Sequence, residues 1–281
     1  MREQPETNRE YKNYVHLHHH LGLRKLSRIA GEVKIVFFPF VGGQSLSFKL
    51  LAEALSADLG LWAVDPPGHG WAQGESITDF SALVDLFFSE LHSFWQGDFY
   101  LYGHSLGGLI VYRLAQIMEE AGQKPRGIFL GAAPVPHRIG EYEYLRRQSD
   151  EELIETMIGF GGIPENIARQ RDFLLYYVKQ IQTDIKVFLD CKLSRTPMVR
   201  TPVVIFYSKD DRFLPYENIF EWDIYGQNVS FAEVAGGHLF IQGHQQLVAA
   251  RMAEFIHPNG QPDSLTTAQR SQKLQPYNSE L

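Results

Sequence analysis

The sequence predicts an α/β domain: a mostly parallel central sheet flanked by helices, with a helical insertion at one end of the strands. Three observations carry the prediction. Short apolar runs bounded by Gly or Pro alternate with segments whose apolar residues recur in steps of three and four, the periods of buried strands and amphipathic helices. Strand and helix keep alternating along most of the chain, which requires crossovers and so a sheet covered on both faces. The rhythm breaks once, between Pro134 and Pro202, over a stretch too long for a loop and helical in its own pattern.

In order, Val33–Phe38 reads as a buried strand stopped by Pro39; Gly42 and Gly43 turn the chain, and Phe48, Leu51 and Leu55 mark a helix face. Leu61–Val64 is a strand closed by Asp65-Pro66-Pro67-Gly68, and Phe80, Val84, Phe87, Leu91 and Phe94 form the stripe of the next helix. Phe99–Tyr102 is a strand broken at Gly103; Ile110, Leu114 and Ile117 line the helix after it. Strands follow at Gly127–Leu130, Pro202–Tyr207 and Val229–Val234, then a last helix with Val248, Met252 and Phe255 on one side. Within the insertion, Leu174, Val178, Ile181, Ile185 and Phe188 keep helical spacing and predict a lid over the strand ends. The expected organisation is a polar, irregular extension over 1–31, one domain over 32–257 with the insertion at about 137–200, and a Gln/Ser/Thr-rich disordered tail over 258–281.

Composition narrows the function classes. The chain has 281 residues, 44% of them hydrophobic, and a formal net charge of −7, which argues against nucleic-acid binding, since phosphate backbones demand a basic face. A single cysteine, Cys191, excludes an internal disulfide framework and CxxC metal or redox motifs. No run of 18 apolar residues is present and the first thirty residues lack a signal-like apolar core, so a soluble cytoplasmic protein is expected. His16, His18, His19 and His20 lie too close in sequence to converge on one ion, and read as a solvated segment; no metal or cofactor is expected.

The chemistry concentrates at Gly103-His104-Ser105-Leu106-Gly107. A GxSxG string alone is weak, but here it follows a strand and opens a helix, the setting of a nucleophile elbow. A serine hydroxyl needs a base, and the base a carboxylate to orient it. In α/β-hydrolases these follow in the order Ser, Asp or Glu, His. Of His137, His238, His244 and His257, only His238 lies just past a predicted strand, in Gly236-Gly237-His238. The carboxylate belongs after Pro202–Tyr207, where Asp210 and Asp211 are adjacent; the spacing to Pro215 favours Asp211. Two backbone N–H groups must face the developing oxyanion: that of Leu106, after the nucleophile, and one from Phe38-Pro39-Phe40-Val41-Gly42-Gly43, supplied by Val41 or Phe40.

With these motifs in view, the chain resembles the type II thioesterases, stand-alone editing hydrolases of nonribosomal peptide and polyketide assembly lines. The likeness runs from about Val33 to Phe255 and includes Phe38–Gly43, Tyr102–Gly108, Ser149-Asp150-Glu151-Glu152-Leu153 with Gly161-Gly162-Ile163-Pro164 downstream, and Gly236-Gly237-His238-Leu239-Phe240. It implies Ser105 as nucleophile, His238 as base, Asp211 as its orienter, and Val41 with Leu106 as oxyanion donors. The implied substrate is an acyl group on the phosphopantetheine thiol of an acyl or peptidyl carrier protein, so phosphopantetheine belongs to the partner, and the enzyme is expected to work as a monomer. One departure stands out: Pro66-Pro67-Gly68-His69-Gly70-Trp71 occupies the place of an arginine-rich PGR motif. A medium-chain acyl-carrier thioesterase of fatty acid synthesis shares nearly the same motifs, and a carboxylesterase or lipase could use the same triad. Arg146, Arg147, Arg169 and Arg171 are candidates for a basic docking rim on the lid.

Overall fold

The computed structural model of the chain describes residues 14–16, 21–28, 31–55, 57–161 and 170–256. Six parallel strands make the body of the sheet: β3 (Lys34–Phe38), β4 (Gly60–Asp65), β5 (Phe99–His104), β6 (Gly127–Gly131), β7 (Val203–Tyr207) and β8 (Val229–Glu233). They are bounded within a residue or two of the apolar runs that predict them. Two short strands, β1 (Tyr14–His16) and β2 (Gly22–Lys25), add to the β4 edge in antiparallel sense, giving the order β1-β2-β4-β3-β5-β6-β7-β8. The expected irregular extension over 1–31 is corrected there: Leu21 and Leu23 are buried in the core beside β4. Such a strand is too short for its alternation to stand out among polar neighbours. His18, His19 and His20, His257 and the tail 258–281 lie outside the described residues, as does the side chain of His16.

Crossover helices cover the sheet: α1 (Lys49–Ala54), α2 (Phe80–Glu90), α3 (Leu106–Glu120) and, near the chain end, α7 (Gln245–Ile256). Asp79 caps α2 by accepting the Ala82 N–H at 2.7 Å. The α2 stripe buries Phe80, Leu83, Val84 and Phe87, and Phe87 meets Phe38 edge-on. On the other face, Phe255 of α7 packs against Tyr100 and Phe129.

Between β6 and β7 the chain forms a 3-10 stretch (Pro136–Arg147), α4 (Asp150–Gly159) and α5 (Arg171–Asp190). Local chemistry starts α4: Ser149 and Glu152 form a reciprocal capping box, with Asp150 and Glu151 also in the first turn facing the positive end of the helix. Leu174, Val178, Ile181, Ile185 and Phe188 of α5 are all buried. Cys191, at the end of α5, is buried as well, and burial pushes its thiol well up. A short α6 (Tyr216–Ile219) and a 3-10 turn (Phe220–Ile224) lead from β7 to β8.

The register positions the site. Phe38 of β3 pairs with Gly103 of β5, so the loops leaving their carboxyl ends are neighbours; Tyr207 of β7 pairs with Glu233 of β8, making their exit loops neighbours too. The sheet order reverses direction between β3 and β5, and such a switch point opens a crevice for ligands.

Candidate active site

Ser105 sits between the end of β5 and the start of α3 with φ 53°, a left-handed conformation that a serine adopts only when its surroundings enforce it. The flanking glycines show what enforces it. A Cβ on Gly103 would lie 2.0 Å from the Gly107 carbonyl oxygen, and one on Gly107 would lie 2.1 Å from that of Phe38. Any side chain at either position would push strand and helix apart and unmake the turn.

Three of the expected residues come together in one hydrogen-bonded chain. His238 Nε2 lies 3.0 Å from Ser105 Oγ, and His238 Nδ1 lies 2.8 Å from Asp211 Oδ2. The other oxygen of Asp211 accepts the N–H groups of Phe213 and Leu214 at 2.8 and 3.0 Å. Burial opposes ionisation of Asp211, but the His238 charge and hydrogen bond, together with those two N–H donors, outweigh it and hold the carboxyl below its ordinary range. Asp210 is exposed, and its backbone N–H donates to Ser208 Oγ; it takes no part in the chain. His137 stacks on Tyr225 and pairs with Glu221, while the His244 carbonyl accepts the N–H groups of Leu247 and Val248 at the start of α7.

Sequence reasoning passed over His104, which holds the His238 loop. Its Nε2 donates to the His238 carbonyl oxygen at 2.8 Å, and its Nδ1 accepts from the Tyr102 hydroxyl at 3.2 Å. Full burial and the neighbouring His238 push its pKa down to about 3, so the ring stays neutral and keeps one tautomer. The loop leaving β8 must reach back past β7 and β6 to Ser105; this bond anchors its far end.

Ser105 and His238 open on a narrow apolar pocket. Phe40 and Val41 of the loop after β3 form one wall; Leu145, Met157, Phe160, Ile185 and Phe188 of the inserted helices form the roof, with Phe213 and Leu239 beside the imidazole. A more polar cleft between Gly159–Gly161 and the His238 loop, edged by Asp210, Arg212 and Gln242, shares Phe160, His238 and Leu239 with that pocket. Val41 lines the same pocket as Ser105, and Leu106 is the first residue of α3. Among the described residues the Val41 N–H has no protein acceptor. Arg146 pairs with Glu143 on the surface at 3.0 Å, and Arg147 is exposed. Gly162, Ile163, Pro164 and Arg169, and the side chain of Arg171, lie outside the described residues. No described helix is long and apolar enough to cross a membrane.

The sheet order, the strained serine turn and the loops gathered around it define an α/β-hydrolase fold. Within that class, residues 33–259 match the thioesterase domain family, and the chain belongs to it; it is a thioesterase, a hydrolase. The AMB antimetabolite synthetase AmbE of Pseudomonas aeruginosa is 23% identical over 252 residues, covering 88% of this chain but only 12% of AmbE's length. The medium-chain S-acyl fatty acid synthase thioesterase of Homo sapiens is 27% identical over 220 residues, 74% of this chain and 80% of that enzyme. Among solved structures, the RedJ thioesterase of the prodiginine pathway in Streptomyces coelicolor superposes with TM-score 0.75 at 21% identity, over 80% of this chain and 86% of RedJ. The type II thioesterase BorB from the borrelidin cluster gives 0.74 at 21% identity, over 84% of this chain and 97% of BorB. The match is to the thioesterase domain family as a whole, and BorB carries the type II name that the motifs resemble.

Proposed function

We propose that the chain hydrolyses acyl groups from the phosphopantetheine thiol of carrier proteins, as an editing or releasing enzyme of nonribosomal peptide or polyketide synthesis. The observation that carries this is the Ser105–His238–Asp211 chain opening directly on an apolar pocket. Ser105 Oγ attacks the thioester carbonyl while His238 Nε2 takes its proton, and the oxyanion is held by the N–H groups of Leu106 and Val41. The C–S bond breaks, His238 returns the proton to the sulfur, and a free pantetheine thiol leaves. Water then attacks the acyl-serine with His238 again as base, releasing the acid and restoring the hydroxyl. Asp211 keeps Nδ1 protonated and stabilises the imidazolium that forms twice in the cycle.

The acyl group occupies the apolar pocket under the inserted helices, which act as a lid; the pantetheine arm lies in the polar cleft that joins it at His238. The assembly-line setting is supported by AmbE, an antimetabolite synthetase, by RedJ of the prodiginine pathway and by BorB of the borrelidin cluster. A second substrate class is supported by the human relative, a medium-chain fatty acid synthase thioesterase, and by the apolar lining.

The test is kcat/KM on carrier-bound acyl and aminoacyl groups of increasing length, against p-nitrophenyl esters of equal length. Carrier-bound thioesters should be preferred; a preference for the oxygen esters would make the chain a carboxylesterase. Ser105→Ala should lower kcat by about 10⁶-fold and abolish labelling by a fluorophosphonate, with folding intact. Equal labelling of both forms would remove Ser105 from the chemistry.

A further inference from the structure

The turn after β4 and helix α5 meet behind the loop that carries Val41. His69, in that turn, and Asp184, on α5, are both buried. His69 Nε2 lies 2.9 and 3.0 Å from the two carboxylate oxygens of Asp184, and its Nδ1 lies 3.1 Å from the Pro67 carbonyl oxygen. A carbonyl oxygen can only accept, so Nδ1 carries a proton. Asp184 Oδ2 also accepts the Gly42 N–H at 2.7 Å, and Nε2 faces both carboxylate oxygens as a second donor. Both nitrogens are then protonated and the ring is an imidazolium, paired with a carboxylate out of contact with water.

Gly42 is gripped on its other side as well, because the Tyr177 hydroxyl of α5 donates to its carbonyl oxygen. Its φ of +73° belongs to a turn that glycine tolerates best, and a Cβ there would sit 3.3 Å from Ile181. The residue before it is Val41. We infer that His69 and Asp184 are positioning residues for the hydrolysis: their ion pair, with Tyr177, fixes the Gly42 peptide and so aims the Val41 N–H at the substrate oxyanion. This rests on the serine mechanism proposed above. It makes α5 part of the oxyanion support as well as of the roof.

The charge that does this can be titrated. Facing His69 are Asp184 from α5 and Asp65 from β4, and both of these carboxylates also act on Tyr177; Asp65 is fully buried and accepts the Ser45 N–H and hydroxyl. Arg24 of β2 donates to the same Ser45 and lies over Trp71. Burial penalises the cation, but the charge and hydrogen bond of Asp184, the Pro67 carbonyl and the field of Asp65 outweigh it and raise the His69 pKa above the ordinary imidazole value. The pair is therefore complete at acid and neutral pH and is lost as pH rises through that raised value. Because oxyanion donors act in the transition state, its loss should lower kcat more than it raises KM.

The experiment measures kcat and KM on one p-nitrophenyl ester across pH for wild type, Asp184→Asn and His69→Lys, with thermal melting to report folding and a fluorophosphonate to count reactive Ser105. Asp184→Asn should lower kcat at neutral pH by about 10–100-fold with KM within roughly threefold, while Ser105 still labels to completion. Lysine keeps its charge to about pH 10, so His69→Lys should move the alkaline fall in kcat upward. A folded Asp184→Asn enzyme with wild-type kcat would overturn the inference. So would an alkaline limb unmoved in His69→Lys, which decides the matter even if Asp184→Asn does not fold. Failure of wild type to label would instead remove the serine mechanism on which the inference stands.

Discussion

Two buried histidine–aspartate pairs stand on either side of Ser105, and they differ mainly in what the second ring nitrogen meets. In His238–Asp211 the pair is 2.8 Å apart and the free nitrogen faces the Ser105 hydroxyl, which can give a proton or accept one. In His69–Asp184 the contact is 2.9 Å and the other nitrogen faces the Pro67 carbonyl, which has no proton to give. The first ring can therefore alternate between neutral and charged during a turnover. The second exchanges no proton with the reacting groups and, in the inference above, works as a strut. In the mechanism proposed above, one pair serves as a base and the other, of the same residue types, as a brace, and the third partner decides which.

The largest effect that would separate the pairs comes from their carboxylates. Asp211→Asn should lower kcat by about 10⁴-fold, because the amide neither holds Nδ1–H nor stabilises the imidazolium. Asp210→Asn, changing an exposed neighbour outside the chain, should stay within about tenfold of wild type. Steady-state kinetics on a p-nitrophenyl ester checks both, and the reverse order would exchange the roles assigned to these aspartates. Set beside the smaller loss expected for Asp184→Asn, the series ranks base support above oxyanion support.

The same contrast explains what could be read from sequence. Ser105, Asp211 and His238 each sit just past a strand that announces itself by composition, and Ser105 lies in a turn with its own glycine pattern. The inserted helices were legible too: Ser149-Asp150-Glu151-Glu152 is a helix-start signal for a physical reason, the capping box. His69 and Asp184 are 115 positions apart, and nothing local links them. One signal was available. Asp184 falls three residues after Ile181 and four before Phe188, on the buried stripe of α5, where an ionised side chain needs a partner. The apolar members of that stripe were read and the charged one passed over. Strands β1 and β2 were missed because their place in the sheet comes from pairing with β4, a contact that short sequence windows do not record.

A smaller effect should appear in stability. The His69 pKa is raised on folding, so its contribution is fully present below the unfolded imidazole value and is lost as pH rises through the folded one. Asp211, held below its ordinary range, gives the opposite sign: its contribution is present above the unfolded carboxylate value and is lost as pH falls through the folded one. Melting curves of wild type should therefore lose a few degrees on the alkaline side, about 2–4 °C for each kcal/mol removed at this size. The double variant His69→Gln with Asp184→Asn, which leaves no charge behind, should lack that alkaline component and keep the acid one. An unchanged alkaline slope in the double variant would mean that the pair is not ionised in the folded chain.

The smallest effect tests charge that lies outside both pairs. Arg146 and Arg147 end the 3-10 stretch on the outer side of the insertion, exposed on a molecule of formal net charge −7. If an acidic carrier protein docks there, their attraction acts on encounter and leaves the proton transfers at Ser105 alone. Replacing both with Glu costs little folding energy, since the Arg146–Glu143 contact is an exposed pair of a kind typically worth about 0.2–1 kcal/mol. KM for an acyl-carrier substrate should rise by roughly three- to tenfold, while kcat and KM for a small p-nitrophenyl ester stay at wild-type values. The difference should shrink as salt is added, because exposed charges are screened beyond about 10 Å at 0.1 M. Parallel losses on both substrates would mean that the change is transmitted through Leu145 and Phe188 into the pocket, and a KM that ignores both the substitutions and the salt would put the docking face elsewhere.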